Sequence, residues 1–103
     1  MNTEKKFNLN TLEKKHGRLS IGQFLSSWRL CTELTQKEFA KKIKISPANL
    51  CDIEKGRKGI SPEKAQEIAL KIGYSPAVLV RMALEEQLSS QGLNYRIEVQ
   101  PAA

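Results

Sequence analysis

The side chains that suit chemistry on a ligand are concentrated between positions 46 and 58. Asn49 can pair with the edge of an adenine, Asp52 can accept a hydrogen bond from the amino group of a cytosine, and Ala48 can contact a thymine methyl group. The cations that follow, among them Lys55 and Arg57, carry the charge that suits phosphate. These residue types can contact base edges and phosphates, provided that one element presents them on a single face.

Catalytic chemistry has few candidates in this chain. His16 is the one histidine of the sequence, and it lies in a polar segment beside Gly17 with no obvious partner. Glu85 and Glu86 are clustered carboxylates, but adjacent residues on a helix point apart and do not make an acid–base pair. We therefore expect a protein that is not an enzyme. The alternative from another class is a small basic ribonuclease that uses His16.

The composition limits the size and the class of the protein. The 103 residues and the formal net charge of +6 suit one small domain with a polyanionic partner. Cys31 and Cys51 are without CxxC spacing, so neither a disulfide framework nor a zinc site is predicted. We expect no metal and no other cofactor. The sequence contains no recognisable signal peptide and no apolar run of membrane-spanning length, and a cytoplasmic protein is expected.

Two short helices joined by a tight turn are predicted to carry the candidate residues. Thr35 and Ser46 are suitable N-caps, because their hydroxyls can accept hydrogen bonds from the first free amides of a helix. The apolar positions of the two helices then form one stripe on each. These positions are Phe39, Ala40 and Ile43 in the first helix, and Leu50 and Ile53 in the second.

The same periodicity predicts which residues of the second helix face outward. With Leu50 and Ile53 directed inward, a step of about 100° per residue places Ala48, Cys51, Asp52 and Lys55 on the opposite face, flanked by Pro47 and Asn49. The candidate base-contacting side chains are Pro47, Ala48, Asn49, Cys51 and Asp52. Since phosphate would repel an acid, Asp52 is expected either to contact a base or to turn aside towards Lys55.

Phosphate contacts are predicted around the starts of both helices and after the second. The free amides that follow an N-cap, aided by the helix dipole, make a cluster of donors for an anion. Nearby cations add charge. The predicted phosphate-binding residues are Thr35, Gln36, Lys37, Ser46, Lys55, Arg57 and Lys58.

Three further helices are predicted around this pair. The first runs from Ser20 to about Thr32, and Trp28 lies on its apolar stripe, which indicates a core residue rather than a platform for stacking bases. Two more helices open at Ser-Pro pairs and span about 61–73 and 75–88. The last one is apolar around most of its circumference and therefore needs a second chain for burial.

A change of period follows Gly92, where apolar and polar residues alternate as in a β-strand. An isolated strand must pair, either with a symmetry mate, with the stretch Phe7–Leu9, or with a different protein. The predicted dimer or partner surface comprises Val80, Leu84, Leu88, Leu93, Tyr95, Ile97 and Val99.

The predicted organisation is a basic, partly ordered N-terminal segment over 1–18, a helical domain over 19–89, and a C-terminal strand and tail over 90–103. Within the first segment, Thr11–Lys15 can form a short helix, and an extended Phe7–Leu9 is equally allowed.

The stretch from Ile21 to Leu79 resembles the phage-repressor (Xre/Cro-like) helix-turn-helix family. The residues that carry the resemblance are Thr35, Gln36, Phe39, Ala40, Ser46, Leu50, Ile53, Glu54 and Gly56. It implies an all-α, five-helix DNA-binding domain, here with a short C-terminal β-strand extension. It also implies an ion pair between Arg29 and Glu54, and a homodimer on a palindromic double-stranded DNA operator.

Within that family, a short chain with one such domain and a C-terminal extension is similar to HigA-type antitoxins. The stretches 50–57 and 60–63 also resemble this subgroup. The resemblance implies a transcriptional repressor that is the autoregulating antitoxin of a type II toxin–antitoxin system, with a small ribonuclease toxin as partner. A stand-alone Xre-family repressor without a toxin remains the alternative.

Overall fold

The computed structural model describes residues 19–102. Within these residues the chain is all-α, as predicted. The predictions for Thr11–Lys15, Phe7–Leu9 and His16 lie outside the described residues. The described helices are α1 (Ile21–Cys31), α2 (Gln36–Ile43), α3 (Pro47–Glu54), α4 (Pro62–Ile72) and α5 (Pro76–Ser89).

Local hydrogen bonds explain where the first three helices begin. Ser20 and Thr35 start α1 and α2 with reciprocal capping boxes, which satisfy amides that a helix leaves free. At Thr35 the backbone N–H, followed by the side chain, holds the pKa of Glu38 below its ordinary value. Ser46 begins α3 by accepting a hydrogen bond from the Asn49 amide at 3.1 Å. The predicted N-caps of these helices are thus the observed ones.

The turn between α2 and α3 depends on a left-handed residue. Lys44 has φ 57° and ψ 49°, a conformation that residues other than Gly, Asn and Asp rarely adopt. It lets the Ile45 amide donate to the Ala40 carbonyl oxygen at 3.0 Å, which closes the end of α2. The chain can therefore start α3 only a few residues later.

The described residues fall into two compact units, one ending at Lys58 and the other beginning at Gly59. In the first unit, α1 and α2 both contact α3. Trp28 is buried there and stacks on Phe24 with ring centroids 6.3 Å apart, so it is a core residue, as its stripe predicts. The buried apolar side chains of this unit are Ile21, Phe24, Leu25, Trp28, Phe39, Ala40, Ile43, Leu50 and Ile53.

The second unit is built on the packing of α4 against α5. Its buried side chains are Ala65, Ile68, Ala69, Ile72, Leu79, Met82 and Ala83. Arg81 and Glu85, one turn apart on α5, form an ion pair at 3.0 Å.

The predicted C-terminal strand is wrong. In the part of the chain that the structure describes, residues 93–99 form no strand. The alternating pattern supplies a strand with an apolar face but not the second backbone that a ladder needs. The Ile97 amide instead donates to the Glu85 carboxylate at 2.8 Å, so a side chain of α5 takes a hydrogen bond that the prediction gave to a neighbouring strand.

Candidate nucleic-acid interface

The helix α3 presents two distinct sides. Leu50 and Ile53 are buried on its inner side, where they anchor it in the core of the first unit. Pro47 and Ala48, at the start of the helix, are exposed. Asn49, Cys51 and Asp52 are half-buried, so all five predicted base-contacting residues keep some accessible surface. The small and apolar side chains therefore lie at the tip of the helix, and the polar ones lie beside them.

Glu54, at the end of α3, ties three elements of the first unit together. Its two carboxylate oxygens accept hydrogen bonds from Arg29 of α1, at 2.9 Å from Nε and 3.1 Å from Nη2. The same Arg29 donates to the Leu34 carbonyl oxygen at 3.2 Å. The side chains of Arg29 and Glu54 are only 15% and 5% exposed. This two-pronged pair fixes the orientation of both planar groups and holds α3 against α1.

Gln36 joins the same cluster from the start of α2. Its amide Nε2 donates to Glu54 Oε1 at 3.0 Å. Gln36 is a predicted phosphate-binding residue, but this side-chain donor contacts an internal carboxylate instead. This contact orients the start of α2 relative to the end of α3.

The outer polar residues of α3 are paired with cations from the loop that follows it. Arg57 Nη1 lies 3.3 Å from Asp52 Oδ1, and Lys58 Nζ lies 3.0 Å from Asn49 Oδ1. Asp52 is therefore paired with Arg57, whereas its two expected roles were contact with a base or a turn towards Lys55. These contacts are exposed, with the Arg57 and Asp52 side chains 63% and 41% accessible, so they add little stability.

The backbone at Gly56 explains why the loop returns towards α3. Gly56 has φ +76°, a conformation in which a residue with a Cβ is strained. The Arg57 amide then donates to the Asp52 carbonyl oxygen at 2.8 Å. A glycine directly after a helix predicts such a reversal. Which side chains meet as a result depends on three-dimensional geometry, and no local signal in the sequence predicts the Lys58–Asn49 contact.

The remaining predicted phosphate contacts occupy two kinds of position. The hydroxyls of Thr35 and Ser46 serve as caps and accept amide hydrogen bonds at 3.1 Å. Lys37 and Lys55 are exposed, as are Arg57 and Lys58. The first unit thus combines an accessible helix tip with accessible cations, an arrangement that suits a groove lined by phosphates.

The predicted partner surface lies in the second unit. Leu93 and Tyr95 are exposed. The other five members are half-buried: Val80, Leu84, Leu88, Ile97 and Val99.

The family model described as Helix-turn-helix matches residues 32–79. These residues contain the whole of α2, the turn at Lys44, and α3. The match supports, for this segment, the family level of the resemblance to Xre/Cro-like helix-turn-helix proteins. In such a domain the second helix of the motif, here α3, enters the major groove. The helix-turn-helix match supports a DNA-binding regulator of transcription.

No curated protein and no solved structure matches the chain. Within residues 19–102, every helix is too short or too polar to cross a bilayer.

Proposed function

We propose that this protein is a transcriptional repressor that binds a palindromic operator as a homodimer and acts as the autoregulating antitoxin of a type II toxin–antitoxin pair. One observation carries the DNA-binding part of the proposal. The start of α3 is exposed at Pro47 and Ala48, whereas the inner side of the same helix is buried at Leu50 and Ile53. A helix held in this way can enter a major groove without unfolding its support.

The homodimer is proposed because the DNA-contacting surface of one copy is small. One short helix contacts few bases, so a single copy binds weakly. Two copies on half-sites about one helical turn apart add their contacts. The exposed Leu93 and Tyr95, together with the half-buried apolar residues of α5, supply apolar surface for a second chain.

The antitoxin role rests on resemblance to HigA-type proteins and on the same surplus apolar surface. A small ribonuclease toxin is the expected partner. The stand-alone repressor is the competing proposal, and it predicts no toxin-sized reading frame beside the gene. Co-expression of the neighbouring frame, followed by purification through a tag on the toxin, separates the two. An antitoxin is retained with the toxin and suppresses its RNA cleavage.

The proposal also holds that the protein is not an enzyme. The opposing hypothesis is a small basic ribonuclease dependent on His16. RNA cleavage by the purified chain that is lost in His16→Ala would replace our proposal with that one.

The direct test is a gel shift on the DNA upstream of the protein's own gene. Asn49→Ala and Asp52→Ala are each expected to weaken the preference for this DNA, at the base position that the removed side chain contacts, while keeping non-specific binding, because phosphate contacts carry no sequence information. Asn94→Ala, an exposed change in the second unit, is the matched control and should keep the preference. A protein that only joins other proteins would instead keep all function after Arg57→Ala combined with Lys58→Ala.

A further inference from the structure

Asn49 and Lys58 are joined in a way that changes what they offer to a base. Lys58 Nζ lies 3.0 Å from Asn49 Oδ1, and an ammonium group only donates, so the amide must direct its oxygen at Lys58. We propose that the two side chains act as one base-contacting pair, which offers the ammonium and the amide NH2 as donors while the amide oxygen already accepts from Lys58, and that the pair selects guanine rather than adenine. This inference rests on the proposed function, since it requires α3 to lie in a major groove.

The position of the pair suits this role. The backbone N–H of Asn49 donates to Ser46 Oγ at 3.1 Å. This hydrogen bond fixes Asn49 in the first turn of α3, the part of the helix that enters the groove. Lys58 is brought alongside by the reversal at Gly56, where the Arg57 amide donates to the Asp52 carbonyl oxygen. The backbone therefore holds both members of the pair on the same side of α3.

The edges of the two purines differ in one group. Adenine presents the N7 acceptor and the N6 amino donor in the major groove, whereas guanine presents two acceptors, N7 and O6. An asparagine without a partner matches adenine, because its oxygen accepts from N6 and its nitrogen donates to N7. In the pair with Lys58, an adenine amino group that approached Asn49 Oδ1 would face the ammonium, and two donors would meet. Guanine avoids this conflict and accepts from both side chains.

Removing Lys58 should therefore change the preferred base rather than only weaken binding. In Lys58→Ala, Asn49 Oδ1 regains its freedom to accept from an adenine amino group. The selected base at one position of each half-site should then change from guanine to adenine. The expected preference in either protein is about tenfold, the size of one good base contact.

The experiment is selection of binding sites from a pool of random duplexes, with the full chain in four forms. Asn49→Ala identifies the relevant position, because it should remove the preference there and nowhere else. The wild type should select guanine at this position, and Lys58→Ala should select adenine. Lys55→Ala is the matched control: it removes an exposed lysine of the same segment, and it should weaken binding to all sites while guanine is kept.

Three results would overturn the inference while leaving the proposed function intact. They are selection of adenine by the wild type at the Asn49-dependent position, retention of guanine by Lys58→Ala, and no change at any position in Asn49→Ala. A wild type that retains no duplex under low salt would overturn the proposed function, and the inference with it.

Discussion

At the scale of single residues, the carboxylate of Glu54 links side chains of α1 and α2 to the end of α3. It accepts hydrogen bonds from Arg29 and from Gln36. Burying an ion pair adds little net stability, since both charges lose water, but removing one partner leaves the other without compensation. The pair thus fixes the position of α3 against α1 more than it stabilises the fold.

Arg29→Ala is expected to lower the free energy of unfolding by about 3 kcal/mol, because the Glu54 carboxylate stays buried with fewer donors. Urea denaturation followed by circular dichroism measures the change. Arg57→Ala is the matched control, since it breaks an ion pair that is exposed and should cost less than about 1 kcal/mol. Equal losses in the two variants would show that the Arg29 pair has no special role.

The left-handed conformation of Lys44 yields a prediction of opposite sign. Lys44→Gly should raise stability by up to about 1 kcal/mol, because glycine adopts this conformation without a clash at Cβ. Lys42→Gly, the same change inside α2, should lower it by about 1 kcal/mol. Thermal unfolding of both variants compares them, and destabilisation by Lys44→Gly would contradict the strain.

At the scale of elements, the approach of α1 to α3 depends on Gly22. A Cβ at this position would overlap the Ile53 carbonyl oxygen and lie 3.3 Å from the Glu54 Cα. Both are backbone atoms and cannot rotate aside. The absence of a side chain at Gly22 therefore allows the two helices to come close enough for Arg29 to reach Glu54.

Gly22→Ala is expected to cost about 1–3 kcal/mol of stability, the usual size for an overpacked contact. Because α1 and α3 must separate, specific DNA binding should fall more than non-specific binding. Denaturation and gel shifts on specific and random duplexes provide the two measurements. Gly59→Ala, which meets no atom within 4 Å, should change stability by less than about 0.5 kcal/mol. Unchanged stability in Gly22→Ala would contradict the close contact between α1 and α3.

At the scale of the whole molecule, the net charge of +6 suits a polyanion, and the number of phosphates that its cations neutralise sets how binding responds to salt. If a dimer neutralises about six phosphates, the association constant is proportional to roughly the inverse fifth power of the salt concentration, because condensed cations are released from the DNA. A fourfold increase in salt should then weaken binding by about 1,000-fold. Fluorescence anisotropy over a salt series measures this slope.

Arg57→Ala should reduce the magnitude of that slope by about two, one phosphate contact for each protomer. Glu63→Ala is the control. It raises the net charge by one at an exposed residue of the second unit, and it should leave the slope unchanged. Affinity that does not depend on salt would contradict phosphate contacts altogether.

The starts of the helices and the class of the fold could be predicted because they depend on local signals. Ser20, Thr35 and Ser46 cap helices through neighbours three residues away, and the apolar stripes identify buried residues such as Leu50 and Ile53. The match to the helix-turn-helix family confirms the fold at this level. The base and phosphate contacts remain predictions.

The sequence by itself determined which residues form helices and which side of α3 is buried, since spacing along one chain is enough for both. Only the tertiary structure decided that Lys58 meets Asn49, that Arg57 meets Asp52, and that residues 93–99 form no strand. The physical reason is that a cap or a stripe is satisfied within a few residues, whereas a side-chain pair or a strand needs a partner whose position depends on how the backbone turns in space.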